Sequence, residues 1–551
     1  MTQCCLSVKW QTSLQGARNN QMTETKRNME SQQAQELANK LWAIANDLRG
    51  QMDANKFRNY ILGVIFYRYL SEMTEDYMQE ILKDDGLTYE DALENPEFSG
   101  TVRAWSIEHL GYVIEPKNLW RNLIAKINVK EFSIEDFEKA VQSLIESTVG
   151  QDSEAAFDKL FDDMNLEDKD LGKEVSDRTN LISKVMLKIN DISFGTKDAE
   201  FDVLGTAYMI LIGLFQSEAG KKGGEYFTPT CVSELVARLA TYNMKEVRSA
   251  CDPCAGSGSL LLLVQKYLGD HYVGHYYADE KNGTTYNLLR MNLLMHGVPY
   301  RQFTTFNEDM LTTDKFYENG RPIFFDVQVN NPPYSAANSA FSMIDDPRYK
   351  GAGVAAPKSH ADLAFLESMV FHMKEGGRIA VVLPHGVLFR GSAEDKIRRY
   401  LIDNLNVIDA IVGLPANLFH GTSIPVCIVV CRKGRNGDSG NIMFIDASKE
   451  FIKGKNKNIL SEETIDKIMD IYSKRQDVDR YAHVASMDEI KKNDYNLNIP
   501  RYVDTSEPEK ELDLNEMIGN IEKDNLEIKD CAASLKKYFD ELGIKFPEDQ
   551  A

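Results

Sequence analysis

The chain has 551 residues, of which 43% are hydrophobic, 10% aromatic and 27% charged, the make-up of a globular protein with about two to four domains. No run of about 18 apolar residues occurs, so no membrane span is expected, and the first thirty residues lack the apolar core of a secretory signal, so the expected location is cytoplasmic. The formal net charge of −21 argues against a protein that grips DNA unaided, because neutralising phosphates supplies most of such affinity.

In chain order, residues 1–30 are polar, contain Met22 and Met29 as alternative starts, and are expected to form a disordered leader. Residues 31–200 read as a helical N-terminal domain. Leu37, Leu41, Ile44, Ala45 and Leu48 recur at helix spacing, and the apolar stretch Phe57–Leu70 is punctuated by Arg58 and Arg68. Acidic surface helices are expected around Glu75–Asp91 and Ile134–Ser147. Residues 201–503 change character. Short β-rich runs at Tyr272–Tyr277, Phe324–Val329, Arg378–Leu383, Val407–Val412 and Val426–Cys431 alternate with helical stretches. This is the pattern of βαβ units, and it predicts an α/β, Rossmann-like domain with a mostly parallel sheet. Residues 504–551 form a helical, coiled-coil-like C-terminal tail. Leu514, Ile521, Ile528, Leu535 and Leu542 hold seven-residue spacing, and Ile518, Asn525, Ala532 and Phe539 fill the second heptad position. Such a seam pairs with another helix or packs on its own domain. Of the eight cysteines, Cys251 and Cys254 form C-x-x-C, and Cys427 and Cys431 form C-x3-C. Neither pair has further ligands at zinc spacing, so no metal is expected.

Two segments carry the chemistry. The first is Asp252-Pro253-Cys254-Ala255-Gly256-Ser257-Gly258-Ser259, followed by the apolar helix Leu260–Tyr267. Small residues after an acid let the backbone approach a ligand, and the next helix offers its amides to the ligand's polar end. No G-K-[ST] and no G-x-G-x-x-G occurs, which disfavours a P-loop and a nicotinamide site. Roughly thirty residues on, Ala278-Asp279-Glu280 ends a strand, and either Asp279 or Glu280 can accept both hydroxyls of a ribose. Glu308-Asp309-Met310 lies where the next strand should end. There Asp309 can accept from an adenine amino group while the methionine covers the ring.

The second segment is the strand Phe324–Asn330 running into Asn331-Pro332-Pro333-Tyr334. The prolines fix the backbone and remove two amide donors. The Asn331 side-chain oxygen and the Pro332 carbonyl can together accept two hydrogen bonds from one –NH₂ group, favouring its pyramidal form. Tyr334 can stack on the ring that carries the amine. This suits methyl transfer from a sulfonium to nitrogen, where positioning supplies much of the rate and no ionisable base is required. A base within a duplex must be flipped out to reach such a pocket.

With these residues in place, the sequence resembles the gamma class of amino-methyltransferases, specifically the modification subunit of type I restriction–modification systems, over roughly residues 31–503. Gly224-Glu225-Tyr226-Phe227-Thr228-Pro229, with Thr230 beside it, resembles the family motif that closes over the methionine end of the cofactor. Gly256, Ser257, Gly258 and Ser259 resemble its cofactor loop, and Glu280 stands where the family has its ribose-binding glutamate. Tyr286-Asn287-Leu288 and Met291-Asn292-Leu293 follow it, and Asn331 to Tyr334 match the catalytic motif. Gly377–Pro384, Arg398, Asn496-Leu497 and Arg501-Tyr502 resemble later family features. One departure is Ala278-Asp279, where relatives more often carry Gly-Gln, which keeps Asp279 open beside Glu280.

The resemblance implies S-adenosyl-L-methionine as cofactor and a flipped adenine of double-stranded DNA as substrate. It also implies a separate specificity subunit that chooses the site, a second copy of this chain in the complex, and a restriction (nuclease/translocase) subunit that can join. The rival readings are methyl transfer to another planar amine and a scaffold without chemistry. His385 and His420 read as ordinary strand-end residues, Lys221 and Lys222 as either phosphate contacts or a solvated turn, and Arg390 as a residue that could contact DNA.

Overall fold

The computed structural model describes residues 32–45, 54–192, 203–218, 228–268, 272–419, 422–435, 440–454, 457–506 and 514–545. The expected leader lies outside them. The chain divides into two compact units, Met1–Val503 and Asp504–Ala551.

The first unit opens with helices α1 (32–45), α2 (Ala54–Leu82), α3 (Tyr89–Glu94), α4 (Ser99–His109), α5 (Trp120–Asn128), α6 (Ile134–Glu146), α7 (Glu154–Phe157) and α8 (Val175–Asn190). Local chemistry starts them where they start. Thr88 and Ser133 cap α3 and α6 in capping boxes with Asp91 and Asp136, so orphan amides at both helix starts are satisfied. The long apolar run in α2 is core: Ile61, Leu62, Val64, Ile65 and Phe66 are fully buried. Arg68, inside that run, is 6% exposed. Its guanidinium donates to the carbonyls of Ile189 (2.5 Å) and Ile192 (2.9 Å) at the end of α8. A buried cation there binds carbonyls at the helix's C-terminal end, where the helix dipole favours positive charge.

The α/β region follows, with α9 (Val203–Glu218), α10 (Thr230–Thr241), β1 (Val247–Asp252), α11 (Ser259–Lys266), β2 (Val273–Asp279), α12 (Gly283–Met295) and β3 (Phe303–Phe306). After a small ribbon of β4 (Tyr317–Glu318) and β5 (Arg321–Pro322) come β6 (Phe325–Asn330), α13 (Asp362–Phe371), β7 (Met373–Pro384), α14 (Ala393–Arg399), β8 (Ile408–Gly413) and β9 (Val426–Arg432). The unit closes with β10 (Ile442–Asp446), a second ribbon of β11 (Ile452–Lys453) and β12 (Asn458–Ile459), α15 (Glu462–Lys474), β13 (Ala482–Ala485) and α16 (Met487–Lys492). The main sheet runs β13-β10-β8-β9-β7-β6-β1-β2-β3, and only β9 and β13 pair antiparallel with their neighbours. The expected mostly parallel sheet is therefore present.

Its strands read as unbroken apolar runs because both faces are covered. In β9, Val426, Ile428 and Val430 join one core, while Cys427, Val429 and Cys431 join the other. Burial on both sides favours continuous hydrophobicity over alternation. It also accounts for the C-x3-C pair as core residues on one face. The first of these cores continues into the helical region, so α1–α8 and one sheet face share one apolar interior.

Sheet order fixes where a ligand goes. The chain winds β1-β2-β3 to one side, then returns to place β6 on the other side of β1. A crevice opens at such a switch point, outside the carboxyl ends of the strands. The second unit holds α17 (Leu514–Glu541), whose seam residues Leu514, Ile521, Ile528 and Leu535 are all more than half exposed. No helix among the described residues is long and apolar enough to cross a membrane.

Candidate active site

The turns leaving β1, β2, β3 and β6 meet at the switch point and enclose a cavity of about 510 Å³. Asp252, Gly256, Ser257 and Ser259 line it from the β1 loop, Glu280 from β2 and Asp309 from β3. Asn331, Pro332 and Pro333 line it from β6, and Thr228 from just before α10. Gly258, Pro229, Thr230 and Tyr334 are near in sequence but do not line it. Glu225, Tyr226 and Phe227 lie outside the described residues, as do Lys221, Lys222 and His420.

The β1 loop is shaped by its own polar groups. Asp252 Oδ1 accepts the Cys254 amide (3.1 Å), and the Ala255 amide donates to the Asp279 carbonyl (2.9 Å). Gly256 and Gly258 take positive φ, +55° and +80°. A Cβ on Gly256 would meet nothing within 4 Å, which leaves its backbone open toward the cavity. Gly258 caps the start of α11, so the amides of the first helical turn face the same space.

Glu280 is oriented by two amides: Gly256 N donates to Oε2 (2.9 Å) and Asn282 N to Oε1 (2.8 Å). Asp279 is turned inward, 1% exposed, with Oδ1 accepting the Glu308 amide (2.9 Å). Burial pushes its carboxyl up to about 8. Burial also raises Asp252 to about 8, opposed by the Cys254 amide and reinforced by the Glu280 charge. At Asp309, burial works upward, but hydrogen bonds from Lys281 (2.8 Å) and Ser339 (3.0 Å) outweigh it and hold the group below its ordinary value. The cavity therefore offers carboxyl acceptors beside an open glycine backbone. That set of acceptors fits a nucleoside ligand carrying hydroxyls, an exocyclic amine and positive charge.

At the other end, Asn331 Nδ2 donates to Thr228 Oγ1 (2.8 Å), and Tyr334 Oη donates to Asn331 Oδ1 (2.6 Å). The Tyr334 ring meets Phe419 edge-to-face at 5.8 Å. Ser335, with φ +51°, is fixed by its amide donating to Asp362 Oδ1 (2.8 Å), and Asp362 pairs with Arg390 (3.4 Å). Arg390 thus braces the Asn331–Tyr334 turn from behind. His385 lies outside the cavity, and burial holds its imidazole below the ordinary value. Arg398 is buried and donates to the carbonyls of Val387 (3.2 Å) and Arg390 (2.6 Å). The Leu497 amide donates to Leu388 (2.8 Å), so both later motif residues support the loop after β7.

Sequence reasoning passed over Lys281, Ser339, Phe365 and Phe419. The first three line the cavity and the fourth packs on Tyr334. Lys281 sits next to the strand-end acid and could have been flagged by that position; the others stand in stretches without a local signature.

Residues 199–511 match the family model of N-6 DNA methylases, and residues 37–189 match that of the HsdM N-terminal domain. The chain is 36% identical to the type I restriction enzyme MpnII methylase subunit of Mycoplasma pneumoniae, across 92% of this chain and 97% of that protein. It is 30% identical to the type I restriction enzyme MjaVII methylase subunit of Methanocaldococcus jannaschii, across 64% of this chain and 62% of that protein. A crystal structure of the type I restriction-modification system methyltransferase subunit from Streptococcus thermophilus matches with a TM-score of 0.79 at 39% identity, covering 86% of this chain and all (100%) of that one. With this fold and these relatives, the chain belongs to the N-6 DNA methylases as a type I restriction–modification methylase subunit, a family that methylates the adenine amino group with S-adenosylmethionine.

Proposed function

We propose that the cavity holds S-adenosylmethionine against the Asn331 turn, and that this turn presents a flipped adenine of double-stranded DNA for methylation. The observation that carries this reading is the convergence of Gly256, Glu280, Asp309 and Asn331 on one cavity at the switch point of the sheet. Glu280, already held by two amides, accepts the ribose hydroxyls; Asp279 is buried off the cavity, takes the Glu308 amide on Oδ1 and serves the loop instead. Asp309 accepts from the cofactor's adenine amine, with Met310 against the ring. Asp252 and the Gly256–Ser259 backbone border the methionine end.

When bound, the cofactor supplies a methyl group on a cationic sulfur, a leaving group that needs no acid. The chain's own task is to hold a neutral amine still. Asn331 Oδ1 and the Pro332 carbonyl accept its two N–H bonds, which favours the pyramidal nitrogen. Pro332 and Pro333 keep that pair of acceptors rigid, and Tyr334 stacks on the base. The surplus proton departs after alkylation, when the nitrogen is acidic, so no basic side chain is needed.

The same reading gives the chain its company: a specificity subunit that selects the DNA site, a second copy of this chain, and a restriction subunit that joins for cleavage. Its place is the cytoplasm, where the DNA is. α17 serves as the arm that engages a partner helix.

Asn331→Ala is the direct test. It is expected to keep cofactor affinity within about twofold and to lower methyl transfer by at least about a hundredfold, read with tritiated S-adenosylmethionine. Glu280→Ala is expected to weaken cofactor binding instead. Wild-type transfer by the Asn331 variant would remove the assigned role.

A further inference from the structure

Asn331 is suspended between two hydroxyls of different kinds. Its Nδ2 is 2.8 Å from the Thr228 hydroxyl and its Oδ1 is 2.6 Å from the Tyr334 phenol. Thr228 is 8% exposed and stands 103 residues away in sequence, just ahead of α10. It lines the same cavity as Asn331.

The two ends of a side-chain amide have nearly the same shape, and half a turn about χ2 exchanges them. Each hydroxyl can donate or accept, so the exchanged amide would still find two partners. Shape alone therefore does not decide which end is available to an incoming amine. Acidity does. A phenol, with a pKa of about 10, is a stronger donor and weaker acceptor than an aliphatic alcohol. With Tyr334 donating to Oδ1 and Thr228 accepting from Nδ2, each hydroxyl works in its stronger role. The exchanged amide would use both in their weaker roles, and its NH₂ would oppose the NH₂ of the target.

We propose that Thr228 is a positioning residue for methyl transfer: its hydroxyl anchors the Asn331 amide nitrogen, so that the amide oxygen faces the target amine. This rests on the reading of Asn331 as the amine acceptor. The oxygen has two lone pairs, so Tyr334 can keep one while the amine takes the other. The arrangement ties the Thr-Pro segment ahead of α10 to the turn that holds the base. A residue taken from sequence as part of the cofactor closure then acts on the substrate side of the reaction.

The test compares Thr228→Val, which keeps the shape and removes the hydroxyl, with Thr228→Ser, which keeps the hydroxyl. The full chain is assembled with its specificity subunit and given amplified, hence unmethylated, genomic DNA. Single-turnover transfer is followed at saturating tritiated S-adenosylmethionine, and cofactor affinity is titrated on the same preparations. T228V is expected to slow transfer about tenfold with cofactor Kd within about twofold, and T228S to return the rate to within about threefold of wild type. A wild-type rate for T228V, or a deficit that vanishes at saturating cofactor, overturns the proposal. Asn331→Ala in the same assay separates the two ideas. If it transfers normally, the turn itself has been misread. If it is inactive while T228V is fully active, only the Thr228 role falls.

Discussion

Gly256 and Gly258 are two residues apart, both left-handed, and glycine for different reasons. A Cβ on Gly258 would sit 2.6 Å from Cδ1 of Leu289, which is fully buried in α12; one on Gly256 would enter open space at the cavity. Each alanine suffers the positive φ, worth about 1 kcal/mol. Gly258→Ala adds an overpacked contact, so its total is expected at about 2–3 kcal/mol of stability. Gly256→Ala is expected to lose about 1 kcal/mol of stability and to weaken cofactor binding at least about tenfold, since the new methyl occupies ligand space. Thermal unfolding and a cofactor titration on the two variants separate these effects. Glu367 in α13 gives a second residue-scale prediction. It is 3% exposed, neither carboxylate oxygen has a hydrogen-bond partner, and burial raises the group to about 9. Its folded-state value lies above its unfolded one, so its contribution is fully present below about pH 4.5 and is lost as pH rises toward 9. Glu367→Gln cannot ionise. It is expected to gain several kcal/mol of stability over wild type at pH 8, with the gap closing toward pH 5. Melting temperatures at the two pH values check this; a gap independent of pH would refute it.

At the scale of elements, α12 links the helical region to the cofactor end of the sheet. It begins three residues after Glu280, and its outer face docks on the segment after α7. Asp163 accepts from Thr284 Oγ1 and Asn287 Nδ2, both at 2.6 Å. Arg290 donates to the carbonyls of Ala155 (3.1 Å) and Asp158 (2.8 Å). Asp163→Ala leaves two donors without their shared acceptor, so about 2 kcal/mol of stability is expected to go. Because the docking face adjoins the Asn282 cap that helps hold Glu280, cofactor affinity is expected to fall about threefold as well. Denaturation and titration of the variant test the two parts separately. The same helix shows what was legible beforehand. The strands, the glycine loop and the Asn-Pro-Pro-Tyr turn carry local signatures, because burial on both faces, positive φ and fixed prolines each restrict the residues allowed at their own positions. Asn287 and Asn292 were visible only as family-like residues. Their partners, Asp163 and the Ser257 carbonyl, are distant in sequence. The same holds for Thr228 with Asn331 and Ser339 with Asp309: a hydrogen bond between remote segments leaves no spacing to read.

At the scale of the molecule, net charge and function pull in opposite directions. A protein that acts on duplex DNA carries a charge of −21, and DNA repels it at distances beyond direct contact. Flipping a base costs a few kcal/mol more. A chain with this balance has little phosphate binding with which to offset either term, so affinity must come from another subunit. The isolated chain is therefore expected to bind cofactor normally and to methylate unmodified DNA at no more than about a hundredth of the rate of the complex with its specificity subunit. We propose the exposed seam of α17 as the handle for that assembly: its apolar residues stand at heptad spacing with one polar Asn525, the pattern of a helix that pairs. Removing residues 504–551 deletes a unit that is compact in its own right. The shortened chain is expected to keep its cofactor affinity, to fail to co-purify with the specificity subunit, and to show only the low rate of the isolated chain. Size-exclusion chromatography and methyl transfer on the same samples decide it. Full activity of the shortened chain in the presence of the specificity subunit would place the assembly surface elsewhere.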